Sequence, residues 1–202
     1  MIHHNRKLVF IHIPKCGGSS VRRSIWVEGL AINPSPHSRA EKIIEKKAQV
    51  NIRTKKLQWY EEQQRHFRYD EVIDLFPNYK YITQVRNPVE RWKSFWKMRK
   101  QNQWHKIPDI NTWTEQILLN FRYGALPEHA DTCWLLEPAW KWIGEKVEVH
   151  KLEEHTIWGA LGVEELNNWN VSVLENPELD SVLEEKVKSL YYKDYELFGY
   201  ER

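Results

Sequence analysis

The chain has 202 residues, 41% of them hydrophobic and 29% charged, which suits one compact domain (residues 1–202) with a core of its own. Its 30 basic and 28 acidic side chains leave a formal charge of +2, which excludes a general nucleic-acid binder and means that any anion site is local. Cys16 and Cys133 are too few for a disulfide framework or a zinc set, and residues 1–7 hold neither a signal-peptide core nor a membrane span, so a complete chain is expected to be soluble and cytoplasmic.

In chain order, KLVFIHI at residues 7–13 is a short β-rich run that stops at Pro14, before the pair Gly17 and Gly18. Residues 19–30 place Val21, Ile25, Trp26 and Leu30 on one side of a helix with Ser19 or Ser20 at its start, so the unit reads strand, glycine turn, helix. NPSPHSR at 33–39 is a loop. The stretch 39–56 holds seven basic and two acidic residues, either a solvated helical face or a surface that attracts an acidic acceptor.

A second β-rich run, YKYITQV at 79–85, ends at Arg86, Asn87 and Pro88 and is followed by the helix-like VERWKSFWKMRK, so strand, polar turn and helix recur. Asn111 and Thr112 are candidate caps for WTEQILLNF, in which Trp113, Ile117 and Phe121 share helical spacing. KVEVHKL at 146–152 alternates like a third strand, and Asn176 with Pro177 is expected to open a last helix, ELDSVLEEKVKSLYY. Strands alternating with helices predict an α/β fold, a P-loop-like parallel sheet flanked by helices in a single domain. The 11 Trp and nine Tyr are mostly core material, although an exposed ring also offers a face for a sugar. Asn170, Val171 and Ser172 match a glycosylation triplet, which without a secretory signal is read as chance.

Chemistry concentrates at two turns. Between strand and helix, Lys15, Cys16, Gly17, Gly18, Ser19 and Ser20 combine bare backbone N–H groups, a mobile ammonium and two hydroxyls, three kinds of donor for one phosphate; the alternative is a plain structural turn. A triphosphatase loop needs its lysine after the glycines, and here it precedes them. At the second turn, Arg86 can grip another phosphate, with Ser94 eight residues on; alone, the two could equally be a salt bridge and a surface serine. Glu90 and Arg91 are expected to orient this second motif.

FIHIPKCGGSSV at 10–21 and VRNPVERWKSFW at 85–96 together resemble the two signature motifs of sulfotransferases, most closely the carbohydrate-directed, heparan sulfate 2-O-sulfotransferase-like group with its bacterial and viral relatives. VEVHKLEE at 147–154 and YYKDYELFGY at 191–200 resemble the family's late strand with its acidic turn and its closing segment, while residues 33–58 and 101–134 are hard to place. The resemblance implies that Lys15, Cys16, Gly17, Gly18, Ser19 and Ser20 hold the 5′-phosphosulfate of 3′-phosphoadenosine 5′-phosphosulfate (PAPS), and that Arg86 and Ser94 hold its 3′-phosphate. Lys15 would also stabilise the leaving oxygen, no metal would be required, and the acceptor would be a hydroxyl, chiefly on a carbohydrate. Cys16 and Asn87 depart from the family's usual threonine and aspartate. Cys16 raises the expectation of a site sensitive to thiol reagents.

A base near neutral pH is naturally a histidine. His66, in QRHFRYDEV and 20 residues before Arg86, resembles the family's catalytic histidine and is the chosen base. His12 is a second candidate, better read as a packed side chain, while His3, His4, His105, His129, His150 and His155 form no metal-ligand set. Two other readings stay open: a phosphoryl-transfer P-loop enzyme, which would need magnesium and a triphosphate, and a nucleotide-binding sensor module without turnover.

Overall fold

A computed structural model describes residues 2–3, 6–27, 66–101, 107–122, 135–163, 172 and 174–202. The loop at 33–39, the basic stretch at 39–56, Asn170 and Val171 of the triplet, and Leu30, His4, His105, His129 and Cys133 lie outside them, as do the side chains of Ile25, Trp26 and Phe121.

Strands β1 (Ile2–His3), β2 (Leu8–Ile11), β3 (Lys80–Val85) and β4 (Val147–Lys151) form one sheet in that spatial order. β2, β3 and β4 are parallel, with Ile11 opposite Thr83 and Gln84 opposite His150. The polar amino terminus adds β1 antiparallel at the edge of β2, an element its composition does not announce.

Period-two alternation gives each face of the sheet its own cover. Leu8, Phe10 and Ile82 pack with Val21 of helix α1 (Gly18–Val27) and with Ile157, Trp158 and Leu161 of α5 (Ile157–Leu161). Val9, Ile11, Tyr81 and Val85 point the other way, onto Val72 of α2 (Tyr69–Val72), the 3-10 turn at Ala139–Trp142 and Phe198 of α7 (Tyr192–Phe198). A sheet buried on both faces is the arrangement parallel strands require, and it explains the near-continuous apolar runs of β2 and β3. β4 is the other edge and is blunted by charge, with Glu148 paired to Lys80 at 2.7 Å.

Helices α3 (Pro88–Gln101), α4 (Ile110–Arg122) and α6 (Ser181–Leu190) build a third apolar cluster from Trp92, Phe95, Trp113, Leu183 and Val187. Burying side chains of this size contributes about 1.5–3 kcal/mol each. Trp92 is fully buried, yet its indole N–H is satisfied by Thr114 Oγ1 at 2.9 Å.

Two helix starts differ from the sequence reading. Asp109, not Asn111 or Thr112, caps α4: its Oδ1 accepts from both of their N–H groups, and Asn111 Oδ1 instead accepts from Asp180 N. Asp180 in turn caps α6, accepting from Val182 N and Leu183 N, so residues 176–180 are not helical and Asn176 is released for another contact. In both cases a carboxylate, a stronger acceptor than an amide or hydroxyl, takes the cap. No helix among the described residues is long and apolar enough to cross a membrane.

Candidate active site

Because β2, β3 and β4 are parallel, their carboxyl ends share one side of the sheet, where open α/β sheets hold ligands. Both polar turns lie there. β2 ends at Ile11, and the chain passes through His12, Ile13, Pro14, Lys15 and Cys16 into Gly17 before α1 begins at Gly18. Gly17 has φ +77° and Lys15 has φ +64°. Glycine adopts this left-handed conformation readily, but a lysine there is strained at a cost of order 1–3 kcal/mol.

Each glycine also rests on a buried polar side chain. A Cβ on Gly17 would lie 2.7 Å from Gln84 Oε1, and one on Gly18 would lie 2.0 Å from the His12 ring. Within the turn, the N–H groups of Cys16, Ser20 and Val21 donate to the carbonyls of Ile13 and Gly17. The first-turn N–H groups of Gly18 and Ser19 have no partner within a helix, as its geometry dictates, and they sit at the positive end of α1. The turn therefore offers an anion backbone donors, the Lys15 ammonium and the neighbouring serines.

At the end of β3, Asn87 opens α3, its Oδ1 accepting from Val89 N at 3.0 Å and Glu90 N at 3.2 Å. An aspartate would cap in the same way, so the departure at Asn87 leaves the start of this helix intact. Arg86 is half-buried beside Glu90 at 3.6 Å, and Ser94 lies one turn beyond Glu90 on the same helix. Farther along, the Lys97 ammonium donates to Asn176 Oδ1 at 3.3 Å. Glu153, in the turn after β4, ties the region down by accepting from Asn87 N at 2.8 Å and from the Tyr200 hydroxyl at 3.0 Å.

Electrostatics join the two turns. Burial first, then the Arg86 guanidinium and more weakly Lys97, lower Lys15 from its ordinary value to about 8. Cations assembled this closely are costly in the free protein and favour a polyanionic ligand. Cys16 behaves otherwise than expected: it is buried, its thiol faces the Pro14 carbonyl, and burial pushes it up to about 11. It is a protonated, inaccessible thiol, which corrects the expectation of sensitivity to thiol reagents.

His66 is carried to the same end of the sheet. Its ring lies 4.2 Å from that of His12, and its Nδ1–H donates to the His12 carbonyl at 2.7 Å. A carbonyl only accepts, so the proton of the neutral ring is on Nδ1 and the lone pair on Nε2. Trp142 meets the His66 ring edge-on at 6.3 Å, and Arg68, paired with Glu137, lies over the Trp142 ring. His12 is one residue past β2, packed between Gly18 and His66.

The structure thus brings together Lys15, Cys16, Gly17 and Gly18 with the start of α1 at Ser19 and Ser20, sets Arg86 close enough to Lys15 to shift it, and stacks His66 beside the loop. Arg91 was expected to orient the second motif; instead it reaches back to the first, its Nε donating to the Pro14 carbonyl at 2.9 Å while Nη1 and Nη2 donate to the carbonyls of Glu137 and Leu135. Asp194, buried and raised by that burial, accepts from Ala139 N and Trp140 N, and the Tyr191 hydroxyl donates to the Leu136 carbonyl. The closing segment therefore fixes residues 135–142, and with them Trp142 behind His66. Sequence reasoning did not single out Gln84, a polar residue inside an apolar strand that the structure buries against Gly17.

Comparison with known proteins agrees with this geometry. The family model described as "Sulfotransferase family" matches residues 1–134, which contain both turns and His66. No curated protein and no solved structure matches the chain. With the match covering well over half of the 202 residues, the chain belongs to the sulfotransferase family.

Proposed function

We propose that this sulfotransferase takes its sulfuryl group from PAPS and passes it to an acceptor hydroxyl on a carbohydrate, with His66 as the base and residues 1–202 acting as one domain. The observation that carries the reading is the convergence of Lys15 and Arg86 from adjacent parallel strands, close enough for one cation to depress the other. A nucleotide with phosphates at both its 3′ and 5′ positions matches two such cationic turns.

In this reading the turn from Lys15 to Ser20 holds the 5′-group, and Arg86 with Ser94 holds the 3′-phosphate. PAPS supplies a sulfuryl group on an activated phosphate. Nε2 of neutral His66 takes the acceptor proton as the acceptor oxygen bonds to sulfur. As the bond from sulfur to the bridging oxygen breaks, its electron pair stays on the 5′-phosphate, where Lys15 meets the new charge. The lowered Lys15 pKa favours this, because an ammonium penalised in the free protein gains most where negative charge develops. The carbohydrate acceptor, of the heparan sulfate 2-O-sulfotransferase-like kind, follows from the motif resemblance.

Calorimetric titration with adenosine 3′,5′-bisphosphate, alongside ATP with magnesium, tests the donor site. Selective binding of the bisphosphate, lost in Arg86→Ala, is the expected result; preference for magnesium ATP would overturn it in favour of phosphoryl transfer.

A further inference from the structure

We propose that Gln84 is a donor-binding residue of the first turn, its side-chain amide hydrogen-bonding the 5′-anionic group of the nucleotide. The inference rests on the two-phosphate reading above and adds a ligand from the floor of the site that neither signature turn contains.

Gln84 is 1% exposed, and neither Nε2 nor Oε1 has a hydrogen-bond partner among the described residues. Several neighbouring buried polar side chains do find hydrogen-bond partners: Thr83 Oγ1 donates to the Ile11 carbonyl at 2.6 Å, and Arg91 and Asp194 bond backbone groups. An amide with both its nitrogen and its oxygen buried and unpaired is costly, and a ligand that bonds it would offset that cost.

Its position indicates the use. Gln84 is two residues before Arg86 on β3 and lies on the face of the sheet that carries Ile82, beneath the start of α1. Its amide abuts Gly17 so closely that a side chain there would collide with it. The bare glycine is thus the opening through which the amide reaches the turn. An amide suits the position chemically: Nε2 is a donor that an anion can accept from, and the group adds no charge beside the already crowded Lys15 and Arg86. A lysine would worsen that repulsion, and a glutamate would repel the ligand.

The test titrates wild type, Gln84→Met and Gln84→Glu with adenosine 3′,5′-bisphosphate and with adenosine 3′-monophosphate, which lacks the 5′-group, and records the melting temperature of each free protein. Gln84→Met is expected to bind the bisphosphate about tenfold more weakly, to bind the 3′-monophosphate as wild type does, and to melt no lower than wild type, since it removes an unpaired amide of similar size. Gln84→Glu should lose more bisphosphate affinity and again spare the 3′-monophosphate. Equal losses for both ligands, no loss for either, or a free Gln84→Met protein that melts well below wild type would overturn the assignment while leaving the two-phosphate site standing. Wild-type protein that fails to bind the bisphosphate would overturn the donor reading and this assignment with it.

Discussion

Arg91, in the helix that follows the second turn, donates from Nε to the carbonyl of Pro14 in the first turn at 2.9 Å, so the two halves of the site are held by one buried guanidinium. Its remaining nitrogens reach the carbonyls of Glu137 and Leu135, which makes it the junction of the first turn, α3 and the segment pinned by the closing helices.

Arg91→Met is expected to lower stability in urea denaturation by about 3 kcal/mol, because it strands the buried Pro14 carbonyl and the partly buried carbonyls of Glu137 and Leu135. It should also weaken bisphosphate binding, as the turn bearing Lys15 loses its anchor. Arg91→Lys, with one compact donor group in place of a planar fork, should recover only part of either loss. A Met variant as stable as wild type would contradict the role.

Lys15 sets a pH dependence with a definite sign. In the free protein it loses its proton near pH 8, and a bound polyanion holds the proton on. Bisphosphate affinity should therefore be flat below that pH and fall above it, by at most roughly tenfold per unit, with proton uptake on binding that approaches one near pH ~9. Calorimetry in buffers of different ionisation enthalpy reads this uptake, and Lys15→Arg should abolish it. The same shift acts on folding: between about 8 and 10.5 the unfolded chain holds the proton that the folded one has released, so this group makes the free protein more stable as pH rises through that window. Affinity that stays level up to pH ~10 would contradict the assignment of Lys15.

His66→Ala should slow release of bisphosphate from PAPS in the presence of an oligosaccharide mixture by about 10²- to 10⁴-fold, the range for loss of a general base. Its affinity for the bisphosphate should be unchanged, since both turns proposed to hold the nucleotide remain. Near-normal turnover would remove His66 from the chemistry and leave His12, stacked against it, as the imidazole to test.

Local patterns in the sequence determined the two strand, turn and helix units, the parallel layering and the cations at the turns. β2 and β3 are readable because apolar runs of their length stop at Pro14 and Arg86, and the glycine pair is readable because only a residue without a side chain suits that turn. The family resemblance likewise rests on contiguous motifs. What the tertiary structure alone decided involves residues far apart in the chain. Arg91 and Pro14 are 77 residues apart, His66 and His12 are 54 apart, and Asp194 meets Ala139 across 55. In the sequence Arg91 is one more charge on a helix, Asp194 one more acid, and Gln84 a blemish in a strand. Their roles come from burial, which compels a polar group to find a partner wherever the fold places one, and neither spacing nor propensity along the chain encodes that placement.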